Sequence, residues 1–344
     1  MTPSKAHATR QGKLQLAKSV SLRNTEQLKM LKQLGVTHAI TGAPFGGIGR
    51  DQYVAAAKKL RDGFAEAGFK ISGVESDPVS CQNIKMGFPG REEEILNYIA
   101  AVEALNEAGI DMICGNFMVG IGWYRTNYLS PVARGGAMTG VFDYQESEKL
   151  PTLEHIFTED QLWDNLKWFY ERIIPVAEKS NVKIALHPDD PAISPLLGSA
   201  RIITSADAYR RIMKMFPSPV NGVTFCQANF RAMGEDIYSV AREFCKQDKV
   251  FFIHYRDIEG TAATKFRETF HDNGPTDMPK MLEIYARAGF TGPIRPDEAP
   301  ILVDEDGKMM AGEEGETTSD AVTTKFFAYG YMKGIMDTLN IAYE

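Results

Sequence analysis

Lys183-Ile-Ala-Leu-His-Pro-Asp-Asp-Pro191 is the stretch from which the rest of the chain can be read. Its first four residues lean apolar, a histidine follows, and Pro-Asp-Asp-Pro then stops any regular element. An apolar run of strand length broken by proline predicts a buried strand presenting one polar side chain at its carboxyl end. Three later stretches share the layout. Gly222-Val-Thr-Phe-Cys226 ends in cysteine, Val250-Phe-Phe-Ile-His254 in histidine and Gly292-Pro-Ile-Arg-Pro-Asp297 in aspartate. Imidazole, thiolate and carboxylate are the groups that hold borderline divalent metals. His187, Cys226, His254 and Asp297 therefore outline one metal site.

Earlier in the chain, strands are predicted over 14–20, 36–41, 70–76 and 111–117, and the four stretches above supply strands over 183–187, 222–226, 250–254 and 292–297. Amphipathic helices are predicted between them over 24–35, 52–68, 91–109, 158–180, 205–216, 234–247 and 278–289, with a closing helix over 318–337. Several end on glycine, a good helix stop. Eight strands, each followed by a helix, predict an α/β fold of the (β/α)8 TIM-barrel type. The alternative, an open doubly wound sheet, lacks a Gly-x-Gly-x-x-Gly after an early strand. In a barrel the carboxyl ends of the strands converge at one mouth. The four ligand candidates lie 39, 28 and 43 residues apart, about one βα unit each, and so face one another.

Residues 1–12 read as a flexible lead-in and 13–344 as one barrel domain. Residues 118–153 form a long irregular segment, expected to act as a lid or a subunit contact in a homo-oligomer. The chain has 344 residues, 44% hydrophobic and 24% charged, with a net charge of -7. An acidic chain is a poor partner for nucleic acid or anionic membranes, and no apolar run reaches the roughly 18 residues that span a bilayer. No secretory leader is legible at the N-terminus, and Cys81, Cys114, Cys226 and Cys245 are few and scattered, so a reducing, cytoplasmic setting is expected.

Glu75 lies near a strand end and reads as a substrate contact or an anchor for a ligand. Arg256, two after His254, and Arg295, two before Asp297, share the ligands' side of their strands. They suggest an anionic or polyol substrate bound bidentately. His271, on the long connection after the seventh strand, is an acid/base candidate. Asp189 and Asp190 read as caps, Cys114 as structural, and Trp123 as a residue that packs rather than reacts.

His187-Pro-Asp-Asp-Pro191, Phe252-Ile-His254-Tyr-Arg-Asp-Ile258, Phe266-Arg-Glu-Thr-Phe-His271, Asp277-Met278 and Arg295-Pro-Asp297 resemble the mannonate dehydratase family. Val74-Glu-Ser76, Ile84-Lys-Met-Gly87, Pro89-Gly-Arg91, Asn116-Phe-Met118 and Trp123-Tyr-Arg-Thr126 extend the resemblance in the same order over nearly the whole chain. It implies a xylose-isomerase-like TIM barrel that requires a divalent ion, usually Mn2+. It also implies His187, Cys226, His254 and Asp297 as ligands, with Asn116 and Trp123 joining Glu75, Arg256 and Arg295 as candidate substrate contacts. The chain departs from the family in three places. Where the family has Arg-Pro-Asp-His-Gly with a catalytic His, this chain has Glu298-Ala299-Pro300 after the Asp. Where the family has a catalytic Tyr, it has Thr317-Thr-Ser-Asp-Ala-Val322. The family's Val-His-Glu-Asp-Ile-Lys is here Val79-Ser-Cys-Gln-Asn-Ile-Lys85.

The expected function is a metal-dependent lyase or dehydratase of a mannonate-like sugar acid or oxidised sugar derivative. It would work through a metal-stabilised enediolate, with Glu298 and His271 moving protons. A keto-sugar isomerase or epimerase is the alternative, and an inactive sugar-acid-binding barrel a third reading. The ligand types suit Mn2+, and also Zn2+, Fe2+ or Co2+.

Overall fold

A computed structural model describes residues 12–310 and 322–344. The expected lead-in, apart from Gly12, lies outside the described residues, as does most of the Thr317–Val322 stretch. Eight parallel strands close into a barrel: β1 (Gln15–Ser19), β2 (His38–Thr41), β3 (Lys70–Glu75), β4 (Met112–Cys114), β5 (Lys183–Leu186), β6 (Asn221–Cys226), β7 (Val250–Tyr255) and β8 (Pro293–Pro296). Each pairs with its neighbours in sequence, and β1 pairs with β8 to shut the ring. All eight stand where the apolar runs predicted them.

The chain's own caps fix the helices between the strands. Asn24 accepts a hydrogen bond from the Gln27 amide, Ser205 from the Ala208 amide and Asp277 from the Lys280 amide, each satisfying an orphan donor of a first turn. Thr158 and Gln161 cap each other reciprocally at the start of Glu159–Ser180. Gly68 and Gly109 carry φ of +82° and +74° where two helices turn back into strands, a conformation open to glycine. The helix expected from Gly234 begins only at Ile237, because Asp236 accepts from the Tyr238 and Ser239 amides and so makes the first turn there.

Alternation sorts the strand residues into two layers. Leu16, Ile253 and Ile294 face the helices, while Ala17, Ile40, Met112, Cys114, Ala185 and Phe252 fill the barrel interior. Phe252 packs edge-on beneath His254, ring centroids 4.5 Å apart, and so forms a dry floor under the strand ends. Burying a large apolar side chain stabilises by about 1.5–3 kcal/mol, so this floor is a rigid base for polar groups above it.

The segment 118–153 is not irregular throughout. Asn127–Ser130 and Thr139–Asp143 are antiparallel strands that join Ile258–Gly260 and Lys265–Glu268 in a four-stranded sheet. The pairing of Phe142 with Phe266 spans more than a hundred residues. No local pattern reports a ladder formed at that distance. A short helix, Gln227–Ala232, follows β6 directly and was not foreseen either.

Candidate metal centre

Register places the ligand candidates at one height. Cys226 pairs with His254 across β6 and β7, His254 with Arg295 across β7 and β8, and Asn116 bridges to His187. Residues paired in register point to the same side of a sheet, so these side chains meet at the mouth of the barrel. Ligand atoms of His187, Cys226 and His254 all lie within 4.8 Å of one another, and all three residues are buried. His187 Nε2 is 3.2 Å from His254 Nδ1, and Asp297 Oδ2 is 3.2 Å from the same Nδ1. Asp297 thus reaches the group through His254. Glu75 Oε1 stands 3.2 Å from the other ring nitrogen, Nε2. Glu75, Cys114 and His254 form a second trio within 4.8 Å, on that far side of the imidazole.

Three guanidiniums thread this cluster. Arg295 joins Glu75 Oε1 at 2.7 Å to Asp297 Oδ1 at 2.9 Å. Arg256 sits at the centre and spends every nitrogen on the protein. Its Nε lies 3.2 Å from both Cys226 Sγ and Asp297 Oδ2. Nη1 lies 2.9 Å from Glu268 and 2.7 Å from Glu298; Nη2 lies 2.8 Å from Asp190 and 2.6 Å from Asn229. Arg125, from the 118–153 segment, holds Asp190 at 2.5 Å and Glu268 at 2.6 Å.

These contacts set the charge states. Burial works to raise the Cys226 thiol, but Arg256 and hydrogen bonds from His187 and His254 outweigh it and bring the thiol down to about 6. Burial opposes ionisation of Glu75 too, yet Arg295 and His254 hold it at about 2. Arg295 and His254 likewise keep Asp297 well below the usual carboxylate range against its burial. Glu298 goes the other way: burial, with Asp297 and Glu268 nearby, outweighs Arg256 and pushes its carboxyl up to about 8.

The donor set fits a divalent cation. Two imidazoles and an acidified thiol converge, with the Asp297 carboxylate 3.2 Å from one imidazole, which is the softness that Mn2+, Fe2+, Co2+ or Zn2+ accepts. The ion-paired network around them holds five carboxylates (Glu75, Asp190, Glu268, Asp297, Glu298) against three guanidiniums. Against burial and Arg295, Asp297 and a hydrogen bond to Cys114 raise His254 well above its ordinary range, so the imidazole carries a positive charge that a cation bound there would replace.

The other candidates are dispersed around this centre. Asn116 is buried and accepts from Lys85 Nζ at 3.0 Å and from the Met118 amide. Trp123 is 41% exposed at the mouth, its ring centroid 6.1 Å from that of His187. His271 stacks on Tyr255, the residue between His254 and Arg256 whose side chain points the opposite way. Its Nε2 donates to the Tyr255 carbonyl at 2.8 Å, and burial and Lys325 lower its pKa to about 3. His271 is therefore neutral, and its ring lies against Tyr255 rather than among the converging ligand atoms, although its Nε2 shares the Tyr255 carbonyl with the Asp297 amide. The structure also brings in residues that strand-end reasoning passed over: Arg125, Asn229 and Glu268, with Asp190, which read as a cap. Their burial, which forces charged groups to pair, is the signal that singles them out, and it does not show in the sequence.

A closed parallel barrel with a polar, metal-compatible mouth defines a barrel enzyme, and two solved structures share its fold. The crystal structure of mannonate dehydratase from Streptococcus suis serotype 2 superposes with a TM-score of 0.82 at 24% identity, covering 96% of this chain and 97% of that one. A xylose isomerase domain protein from Planctomyces limnophilus does so at 0.60 and 13% identity, over 95% and 98%. In sequence, the mannonate dehydratase of Streptococcus agalactiae serotype V is 34% identical over 323 residues, 86% of this chain and 88% of its own. The family profile described as D-mannonate dehydratase (UxuA) matches residues 15–158 and 145–344. The chain belongs to the mannonate dehydratase family, a family of carbon–oxygen lyases.

Proposed function

We propose that this protein dehydrates a sugar acid, with D-mannonate the first substrate to test, at a divalent metal held by His187, Cys226, His254 and Asp297. The convergence of His187, Cys226 and His254 at the barrel mouth carries the reading, in a family that is metal-dependent in general. A divalent ion bound there supplies Lewis acidity toward the carboxylate and hydroxyl of the substrate as negative charge develops.

The chain's own groups move the protons. Glu298, beside Asp297 and 2.7 Å from Arg256, has a pKa of about 8, close to working pH, as proton transfer in both directions requires. It takes the proton α to the substrate carboxylate and passes one to the departing β-hydroxyl, which leaves as water. Glu298 thus stands where other family members carry histidine. His271, neutral and bonded through Nε2 to the Tyr255 carbonyl, packs against Tyr255 and takes no part in the chemistry. Arg256, with all its donors engaged, orients Glu298, Cys226 and Asp297 rather than touching substrate. Trp123 closes one side of the mouth over the sugar chain.

The exposed Tyr128, Leu129, Val132, Leu150 and Ile156, all from residues 128–156, support a homo-oligomer that covers them. Four free, buried cysteines support a reducing, cytoplasmic setting. Among the described residues no helix is long and apolar enough to cross a membrane.

The test is conversion of D-mannonate to 2-keto-3-deoxygluconate with Mn2+, by wild type and by Glu298→Gln. The variant should lose about 10²–10⁴-fold in kcat while still binding Mn2+. A wild-type rate in Glu298→Gln sinks the assignment of Glu298. Solvent deuterium entering a recovered isomeric sugar, with no loss of water, selects the isomerase or epimerase instead.

A further inference from the structure

Two arginines and two carboxylates form a closed, buried ring beside the ligands. Asp190 accepts at Oδ1 from Arg125 Nη1 at 2.5 Å and at Oδ2 from Arg256 Nη2 at 2.8 Å. Glu268 accepts at Oε1 from Arg125, at 2.6 Å from Nη2 and 3.1 Å from Nε, and at Oε2 from Arg256 Nη1 at 2.9 Å. Each carboxylate therefore spans both arginines, and each arginine spans both carboxylates. All four side chains are at most 5% exposed. They come from four separate pieces of chain: the 118–153 segment, the turn after His187, the residue just past β7, and the four-stranded side sheet. Arg256 continues from the ring to Cys226, Asp297 and Glu298. Arg125 makes no ion pair or hydrogen bond with Cys226, Asp297 or Glu298, although its charge acts on Glu298 from farther off.

We propose that Arg125 is a positioning residue: by closing the ring, it fixes Arg256 and, through Arg256, the metal ligands Cys226 and Asp297. The physical reason is charge balance in a dry site. With Arg125 in place the ring is neutral, two positive and two negative, so the contacts of Arg256 to Cys226, Asp297 and Glu298 are not in competition with unpaired neighbours. Without Arg125, Asp190 and Glu268 have Arg256 as their common cation and draw it toward themselves. A planar fork is needed at both corners, since each carboxylate is met by two Arg125 nitrogens. The ring also seats the segment from which Arg125 comes: its guanidinium lies 4.9 Å over the Phe266 ring, and the Tyr124 amide donates to the Asp190 carbonyl at 3.3 Å. The 118–153 segment thereby acts as part of the metal site without supplying a ligand.

This rests on the metal reading above, so the experiment separates the two. Mn2+ affinity is measured by calorimetry for wild type, Arg125→Met, Arg256→Met, the double variant and Arg125→Lys. Loss of a group that orients metal ligands costs 10–100-fold in affinity. Arg125→Met is expected to weaken Mn2+ about tenfold, and the double variant to be no weaker than Arg256→Met alone, because both act on one path. Arg125→Lys, charged but without the fork, should fall between wild type and Arg125→Met. Arg125→Met binding Mn2+ as wild type does, or losses that multiply in the double variant, overturns the proposal. Wild type that takes up no Mn2+ sinks the metal reading instead. Amide hydrogen exchange at residues 187–190 and 265–268 then decides the ring by itself: Arg125→Met must speed exchange in both stretches, and unchanged exchange refutes it. Where Arg125→Met fails to fold, Arg125→Lys serves the same two measurements.

Discussion

Replacing Arg256 with methionine should destabilise the protein by about 3 kcal/mol. The guanidinium contacts four carboxylates within a buried network. Arg125 still holds Asp190 and Glu268, and Arg295 still holds Asp297. Cys226, whose thiol is held at about 6 chiefly by Arg256 against its burial, is the anion whose cationic partner is lost outright. Breaking a buried pair by removing one partner costs about 3–5 kcal/mol. The retained arginines put the loss at the lower end, and methionine preserves most of the volume of the stem. With a urea m-value of about 3 kcal/mol/M for a chain of this size, the unfolding midpoint should fall by about 1 M. Arg256→Lys, which keeps the charge but not the fork, should recover part of that shift. The assay is urea unfolding followed by circular dichroism, with chelator present so that metal binding does not contribute. A midpoint within about 0.2 M of wild type, under about 0.6 kcal/mol on that slope, would refute the reasoning and mean that the pairs of Arg256 do no more than offset their own desolvation.

Mn2+ at about 100 times its dissociation constant should stabilise the wild type by about 2.7 kcal/mol, and EDTA should reverse the gain; Cys226→Ser should lose most of it in thermal melts. His271 links stability to pH. Its folded pKa of about 3 lies below the unfolded value of about 6.5, so the unfolded chain binds the extra proton and stability falls as the solution is acidified from about 6.5 toward 3, by up to about 1.4 kcal/mol per pH unit. His271→Gln should remove one proton from that slope, seen in urea midpoints taken between pH 4 and 7, while leaving kcat near wild type; an unchanged slope would contradict its burial as a neutral ring. Trp123→Ala should raise KM about tenfold with kcat and melting temperature little changed, since the ring is exposed at the mouth and supports no core; a matching fall in kcat would show that the ring aligns the reacting atoms instead.

Much of this protein is legible without its structure because a (β/α)8 barrel repeats a local unit. Each buried strand announces itself as an apolar run, each helix as a 3.6-residue period with a cap and a glycine stop, and strand order follows sequence order. That regularity puts His187, Cys226, His254 and Asp297 at neighbouring strand ends from spacing alone, and ladder register then sets Cys226, His254 and Arg295 level with one another. Only the tertiary structure decided which way the remaining polar groups turned. His271 reads as a mouth residue until its ring is found stacked on Tyr255. Arg256 reads as a substrate contact until its nitrogens are counted against Asp190, Glu268, Asp297 and Glu298. Arg125 and Glu268 lie 143 residues apart and carry no mark that they meet. Periodicity records what a residue does with its near neighbours. A buried charge is placed by whichever distant counter-charge spares it the cost of desolvation, and that partner is chosen only when the chain folds.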